Sequence, residues 1–367
     1  MIVFKATQAK VLAAFQAAAG VIDNKTVPIL LHAKVEKVGG IVKVTGTNLE
    51  IEIVSISDLG GDAGPFSTTV AAKKVIDVLR SMPAEQIVTL EETMGKLALT
   101  GGKSRVTLRT LPAKDFPVMV PSGGFSPIIT VPQKALKAVI DHVAFAMPMN
   151  DYRHYLNGAL LESSGDRLTM VVTNGSQIAT ASTPLGVDVP HYEVILPRKS
   201  VNELQRLLDG SEGAMEVQFS GSQARFTFGS LTFLTKLIEG KFPDWRRAIP
   251  PPTSDQVSVS RATFLNSLQR ASIMSSEKFR GIRLSLSSGL LRINSMNNNS
   301  EESDDEIEVD YHGPEIETGF NVNYLVDAVA NAKSDTLMLA LGAPQTPLQM
   351  TMPGNDRFRY VASQLRL

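Results

Sequence analysis

The chain has 367 residues, 43% of them hydrophobic and 20% charged, with a net charge of −1. That length exceeds one ordinary core and predicts two or three domains, and the near-neutral charge argues against a simple basic nucleic-acid binder. Cysteine is absent, which excludes a disulfide framework, a thiolate metal site and a cysteine nucleophile.

The opening MIVFKATQAK lacks the charged, apolar and small-residue regions of a signal peptide. No uncharged apolar run approaches the roughly 18 residues of a membrane span, so a cytoplasmic protein without membrane contact is expected. Thr7 to Ala19 then reads as an amphipathic helix. Val35 to Ser57 alternates apolar and polar residues around glycine turns, the pattern of hairpin strands. Thr68 to Ser81 reads as a second helix, with Val75, Val78 and Leu79 at helical spacing. Lys103 to Arg109 reads as an edge strand, with Lys103, Arg105 and Arg109 on one face and Val106 and Leu108 on the other. TLPAKDFPVMVP, Thr110 to Pro121, closes the segment.

The order then starts again. Pro132 to Ala146 is helical, Leu160 to Ser182 is strand-like, and Pro197 to Asp209 is helical through Val201, Leu204, Leu207 and Leu208. LIEGKFPDWRRAIP, Leu237 to Pro250, matches the first closing segment at Phe-Pro and at its final proline, and it holds Trp245, the only tryptophan. A third round follows: helix Arg261 to Ala271, strands Ile282 to Met296, helix Asn321 to Lys333, and a chain end at YVASQLRL with no closing corner. Both helix families recur about every 125 to 130 residues. A shared period means a repeated supersecondary unit, and it predicts an α+β fold of three like domains, 1–125, 126–253 and 254–367, each with two helices packed on antiparallel sheets.

The average charge conceals a segregation. The six helix windows together carry +7, which leaves −8 for the rest of the chain. Lysine and arginine favour helices by propensity, as glutamate does; the alternative is that all six helices face one polyanion. Six helices about 10 Å wide would line a bore of only about 20 Å, too tight for hydrated duplex. Twelve give roughly 120 Å around and about 38 Å across, which admits double-stranded DNA. That arithmetic favours a head-to-tail dimer closing on itself.

Signals for an enzyme are poor. Gly102-Lys103-Ser104 imitates the end of a phosphate loop, but the position where the loop needs its first glycine is Leu97. Histidines 32, 142, 154, 191 and 312 show no metal-ligand spacing, and neither Gly-x-Ser-x-Gly nor His-Glu-x-x-His occurs. No catalytic residue, metal or cofactor is expected.

Nine stretches occur in order along the chain: PIL (28–30), TGTNLEIEI (45–53), LPAKDFP (111–117), YLNGALLE (155–162), LPRKSV (196–201), FPDWRRAIP (242–250), SEKFRGIRL (276–284), GFNVNYLVD (319–327) and the terminal LRL. Through them the chain resembles, over essentially its full length, the bacterial DNA polymerase III beta subunits, the sliding clamps. The resemblance implies three DNA-clamp domains per chain and a head-to-tail homodimer ring with helices lining the bore. It implies a processivity factor that encircles double-stranded DNA without reading sequence. It also implies partners: the replicative polymerase alpha subunit, the clamp loader, and repair and translesion polymerases, all through short linear peptides. An accessory or mobile-element clamp serving a different polymerase is the alternative.

Carried over residue by residue, the family's DNA contacts fall on Asn24, Lys25, Lys73, Asn150, His154 and Tyr155. Asn24 stands where relatives are commonly basic, which shifts that role to Lys25; Tyr155 reads equally as a core tyrosine. The implied peptide cleft comprises Leu156, Thr173, Gly175, Ser176, Gln177, Ile178, Pro243, Arg247, Ala248, Asn321, Tyr324, Val361, Ser363, Leu365 and Arg366. Asn174-Gly175-Ser176-Gln177 departs from the Asp-Gly-His-Arg of many relatives, and Ala362-Ser363-Gln364-Leu365 from a segment richer in methionine and proline. The implied dimer interface sets Lys103, Arg105, Val106 and Leu108 against Ile273, Met274, Glu301, Glu302 and Asp304. An acidic run such as 301–306 is otherwise a solvated loop. Trp245 is expected to pack where the second domain meets the third.

Overall fold

The structure, a computed structural model, describes residues 1–22, 27–93, 96–251, 256–276, 280–342 and 346–365. Each of the six α-helices among them starts on the residue after a β-strand. α1 (Gln8–Ala19) follows Ile2–Thr7, α2 (Ala72–Arg80) follows Phe66–Ala71, and α3 (Gln133–Val143) follows Ile129–Pro132. α4 (Arg198–Leu207) follows Gln177–Pro197, α5 (Arg261–Met274) follows Val257–Ser260, and α6 (Val322–Asn331) follows Ile316–Asn321. One junction differs from expectation: Thr68 to Ala71 lies in the strand, with Thr68, Thr69 and Val70 buried. Three consecutive β-branched residues are stiff at χ1 and fit a pleated surface better than a helix. Ser260 caps α5 by accepting from Thr263 N, and Asn321 caps α6 by accepting from Asn323 N.

All strand pairing is antiparallel, in four sheets. Each repeat supplies strands to two of them. In the first repeat, Ile2–Thr7, Ile87–Thr93, Lys96–Gly101 and Ser104–Leu108 form a sheet of their own. Its remaining strands join those of the second repeat in a nine-stranded sheet, through Ile51–Asp58 beside Leu231–Lys236, where Phe233 faces Ile53. The second repeat's long strands Gly158–Thr173 and Gln177–Pro197 join the third repeat in a six-stranded sheet, through Asn355–Ala362, where Ile178 faces Val361. The third repeat keeps a four-stranded sheet ordered Glu302–Glu308, Leu290–Met296, Gly281–Ser287, Ile316–Asn321.

The second repeat is therefore shared. The chain divides into two compact units, Met1–Gln133 with Arg206–Leu237, and Lys134–Gln205 with Ile238–Leu367. In the first unit α1 and α2 bury Val11, Phe15, Val75 and Leu79 against Val35, Val44, Leu90 and Leu99, with Phe4 edge-on to Phe15 at 6.4 Å. At Gly46 a Cβ would stand 2.1 Å from the Ala18 carbonyl oxygen, so only glycine lets α1 lie this close to its sheet.

Two edge strands carry charged residues. Ser104–Leu108 is an edge strand of the first sheet, and Glu302–Glu308 is an edge strand of the last. The first is shorter than expected: Lys103 sits in the preceding turn and Arg109 just beyond the strand. The acidic run is a strand rather than a loop from Glu302 onward, with Glu301 just outside it.

Candidate functional site

The second unit contains a compact apolar cluster built from strand residues of two repeats. Leu156, Leu160, Val171, Ile178, Ile195, Phe242 and Val361 are buried together, with Tyr155, Ile238, Trp245 and Ile249 packed against them. Strand alternation explains the set: cross-strand partners Thr173 and Ile178, and Ile178 and Val361, share one sheet face. Of the residues expected to form a cleft, Leu156, Ile178 and Val361 belong to this cluster. Pro243, Arg247 and Ala248 stand exposed beside it, on and just before the 3-10 turn Trp245–Ala248, where Arg247 Nε is 2.9 Å from Asp244 Oδ2.

The turn at 174–177 connects the strands Gly158–Thr173 and Gln177–Pro197. Asn174 Oδ1 accepts from Ser176 N and Gln177 N, both at 2.9 Å, and the Thr173 hydroxyl donates to the Gln177 carbonyl at 2.6 Å. Gly175 takes φ +84°, a conformation L side chains rarely adopt, and a Cβ there would meet Arg153 Nη1 at 2.8 Å. Arg153 itself forks onto Asp151 and donates to the Asn174 carbonyl, so it ties the 150s loop to this turn. The Asp151 carboxyl is held down to about 2 by its hydrogen bonds from Arg153.

Chain segment 363–365 runs beside that turn and the strand Ile316–Asn321. Ser363 N donates to Ser176 O and Leu365 N donates to Gly319 O, each at 2.8 Å. Asn321 and Tyr324 lie at the start of α6, and the Tyr324 carbonyl is 3.0 Å from the Tyr360 hydroxyl. Gln177 differs from expectation: it is buried, and its Oε1 lies 2.7 Å from that same hydroxyl, so the side chain turns inward. Arg366 lies outside the described residues.

Residues 2–120, 130–244 and 246–366 match, in that order, the N-terminal, central and C-terminal domains of the DNA polymerase III beta subunit. The chain is 37% identical over 354 residues to the beta sliding clamp of Pseudomonas putida, covering 96% of each. It is 35% identical over 343 residues to that of Escherichia coli K12, covering 93% of each. It superposes on the solved DNA polymerase III subunit beta of Pseudomonas aeruginosa with a TM-score of 0.94 at 36% identity, over all of both chains. The chain belongs to the DNA polymerase III beta subunit family. A Pseudomonas aeruginosa family member has been solved bound to griselimycin, with a TM-score of 0.94 at 36% identity over 99% of both chains.

The expected DNA contacts fall in both units. Lys73 is exposed on α2 in the first unit; Asn150 is exposed in the loop before the 3-10 turn His154–Leu156 in the second. His154 is exposed, with Nε2 3.0 Å from the Glu239 carbonyl, and its ring meets Tyr155 edge-on at 5.7 Å. Tyr155 is half-buried against the apolar cluster. Asn24 and Lys25 lie outside the described residues.

At the expected interface, Arg105 is exposed and Val106 and Leu108 turn toward the sheet's inner face. Ile273 is 74% exposed near the end of α5, with Met274 beside it partly covered. On Glu302–Glu308, Asp305 and Ile307 turn inward, Asp305 pairing with Arg270, while Glu302, Asp304, Glu306 and Glu308 alternate outward. Arg292 takes Glu306 and reaches Asp304 at 3.6 Å.

Sequence reading missed Arg153, Tyr360 and most of the cluster. Val171 was available by stepping two residues back from Thr173 along the strand. No local signal marks Arg153 or Tyr360, because their roles come from partners 21 and 183 residues away.

Proposed function

We propose that the chain pairs head to tail with a second copy to close a ring around duplex DNA, and that it tethers DNA polymerase III there as a processivity factor. The repeat's own pairing rule carries this reading. Within the chain, the third strand after a repeat's first helix joins the last strand of the next repeat's outer sheet, as Ile51–Asp58 does with Leu231–Lys236. In the second repeat the strands after the first helix are merged into two long ones, and the start of the second, Gln177–Pro197, joins Asn355–Ala362 in the same way. The rule leaves two strands unjoined, Glu302–Glu308 in the third repeat and Ser104–Leu108 in the first. They are complementary: Arg105 with flanking Lys103 and Arg109 on one, Glu302 and Asp304 beside Glu301 on the other. An exposed edge is a template for pairing, and opposite charge selects the partner. Joining them between two copies repeats the internal junction twice and closes the ring, with Ile273 and Met274 covered beside it.

Six domains then present twelve helices to the bore. Lys25, Lys73, Asn150 and His154, with Asn24 and Tyr155 beside them, contact the duplex through phosphate rather than bases, so the ring positions without reading sequence and slides. Retention is topological, and a bound polymerase stays at high effective concentration over its template. In this reading the chain acts in the cytoplasm on the nucleoid and catalyses nothing itself. The apolar cluster, flanked by the 174–177 turn, Pro243, Arg247 and segment 363–365, takes short linear peptides of the polymerase, the clamp loader and repair polymerases. The three domains divide near residues 125 and 253.

Negative-stain imaging of the purified protein tests the reading directly. Closed rings of sixfold appearance are expected; particles that stay single or grow into filaments would refute it.

A further inference from the structure

Beside the apolar cluster, in the same unit, lies a cavity of about 380 Å³ that the cleft does not include. Its charged lining is four arginines against one aspartate: Arg167, Arg246, Arg357 and Arg359, with Asp356. Arg246 is committed, stacked 4.4 Å over the Trp245 ring and paired with Glu162. The other three guanidinium groups have no carboxylate partner among the described residues. Trp245 also lines the cavity, and its indole Nε1 is buried without an acceptor among the described residues. The cavity thus concentrates donors and positive charge, so its complement is an anionic acceptor. A carboxylate or phosphate matches the planar fork of arginine in two parallel hydrogen bonds.

Register decides which of these arrives. Thr173, Ile178 and Val361 lie opposite one another at the cluster; the next row on the same face is Val171, Thr180 and Arg359. Thr169 and Ser182 form the row after that, and Arg357 stands two residues from Arg359 on the same face. Successive same-face rows are roughly 7 Å apart, which is one same-face side-chain step of an extended peptide. A chain anchored in the apolar cluster therefore places a flanking side chain in the cavity without a bend.

We infer that this arginine-lined cavity is an annex of the peptide cleft that receives an acidic side chain, aspartate or glutamate, flanking the apolar anchor of a partner peptide. The inference rests on the cleft reading above. It gives the cleft an electrostatic selectivity that acts on residues outside the anchor itself.

The test uses two fluorescein-labelled short peptides that share a leucine and phenylalanine anchor. One carries Asp-Glu on both flanks and the other Ala-Ala, and each is titrated into the full-length protein by anisotropy. The acidic peptide is expected to bind about tenfold more tightly, and raising salt should shrink that advantage. The sole tryptophan lines the cavity, so the acidic peptide should also perturb its emission more than the neutral one. Arg357→Ala with Arg359→Ala should bring the two affinities together and leave the neutral peptide unchanged. Arg357→Glu, at an exposed position, should penalise only the acidic peptide even if the double variant folds poorly. Equal affinities for the unaltered protein overturn the annex while the cleft stands. Failure of both peptides to bind overturns the cleft reading and the annex with it. Loss of DNA binding in the arginine variants, with both peptides equal, would assign the cavity to nucleic acid and overturn the proposal.

Discussion

The Tyr360 hydroxyl lies 2.7 Å from Gln177 Oε1 and 3.0 Å from the Tyr324 carbonyl oxygen. Tyr360 is fully buried, and its one phenolic proton serves two acceptors that come from different repeats, which ties Gln177 to α6. Tyr360→Phe leaves the buried Gln177 amide short of a partner, and a loss of about 1 to 3 kcal/mol is expected. Urea unfolding of the two proteins measures it.

The same residue sets an alkaline limit. Burial pushes the Tyr360 phenol well above its usual value, with Asp327 and Tyr324 adding to the effect. The folded state holds this proton more tightly than the unfolded state, so its contribution is complete below about pH 10 and is lost as pH rises toward the folded value. Thermal midpoints of the unaltered protein should fall above about pH 10 more steeply than those of Tyr360→Phe. Parallel pH profiles would remove Tyr360 from the account.

Arg105 and Asp304 stand on the two unjoined edges. Arg105→Glu should weaken the dimer, and adding Asp304→Arg to the same chain should restore it in part, since each interface then regains opposite charges. Ile273→Ala with Met274→Ala should shift the protein toward monomer in sedimentation at low micromolar concentration. A dimer that survives that double substitution would show that the interface lies elsewhere.

Lys25→Glu with Lys73→Glu should weaken loading on duplex DNA. The slope of log affinity against log salt should lessen by about 0.9 for each phosphate contact removed. Anisotropy on labelled duplex at several salt concentrations reads that slope, and an unchanged slope excludes both lysines as phosphate contacts.

Leu365 N bonds to the Gly319 carbonyl, which anchors segment 363–365. Removing residues 365–367 should abolish binding of a partner peptide while leaving the dimer intact. Peptide titration with sedimentation of the same sample separates the two effects.

Residue pattern along the chain was enough to place the repeat, the six helices and the alternating strands. Those signals are local: Val75 and Leu79 fall on one helix face whatever lies across from them, and Thr173 and Val171 fall on one strand face for the same reason. It misplaced Thr68 to Ala71, where β-branched residues beside a helical pattern continue the strand to the helix start. Only the tertiary structure decided that Phe233 would face Ile53 and Ile178 would face Val361, which shares the second repeat between two sheets. It also decided that Gln177 turns inward to Tyr360, and that Arg167 and Arg359 meet at one cavity. Residues nearly two hundred positions apart become neighbours through sheet register and side-chain burial, which are set by what packs against each strand and leave no period in the chain to read.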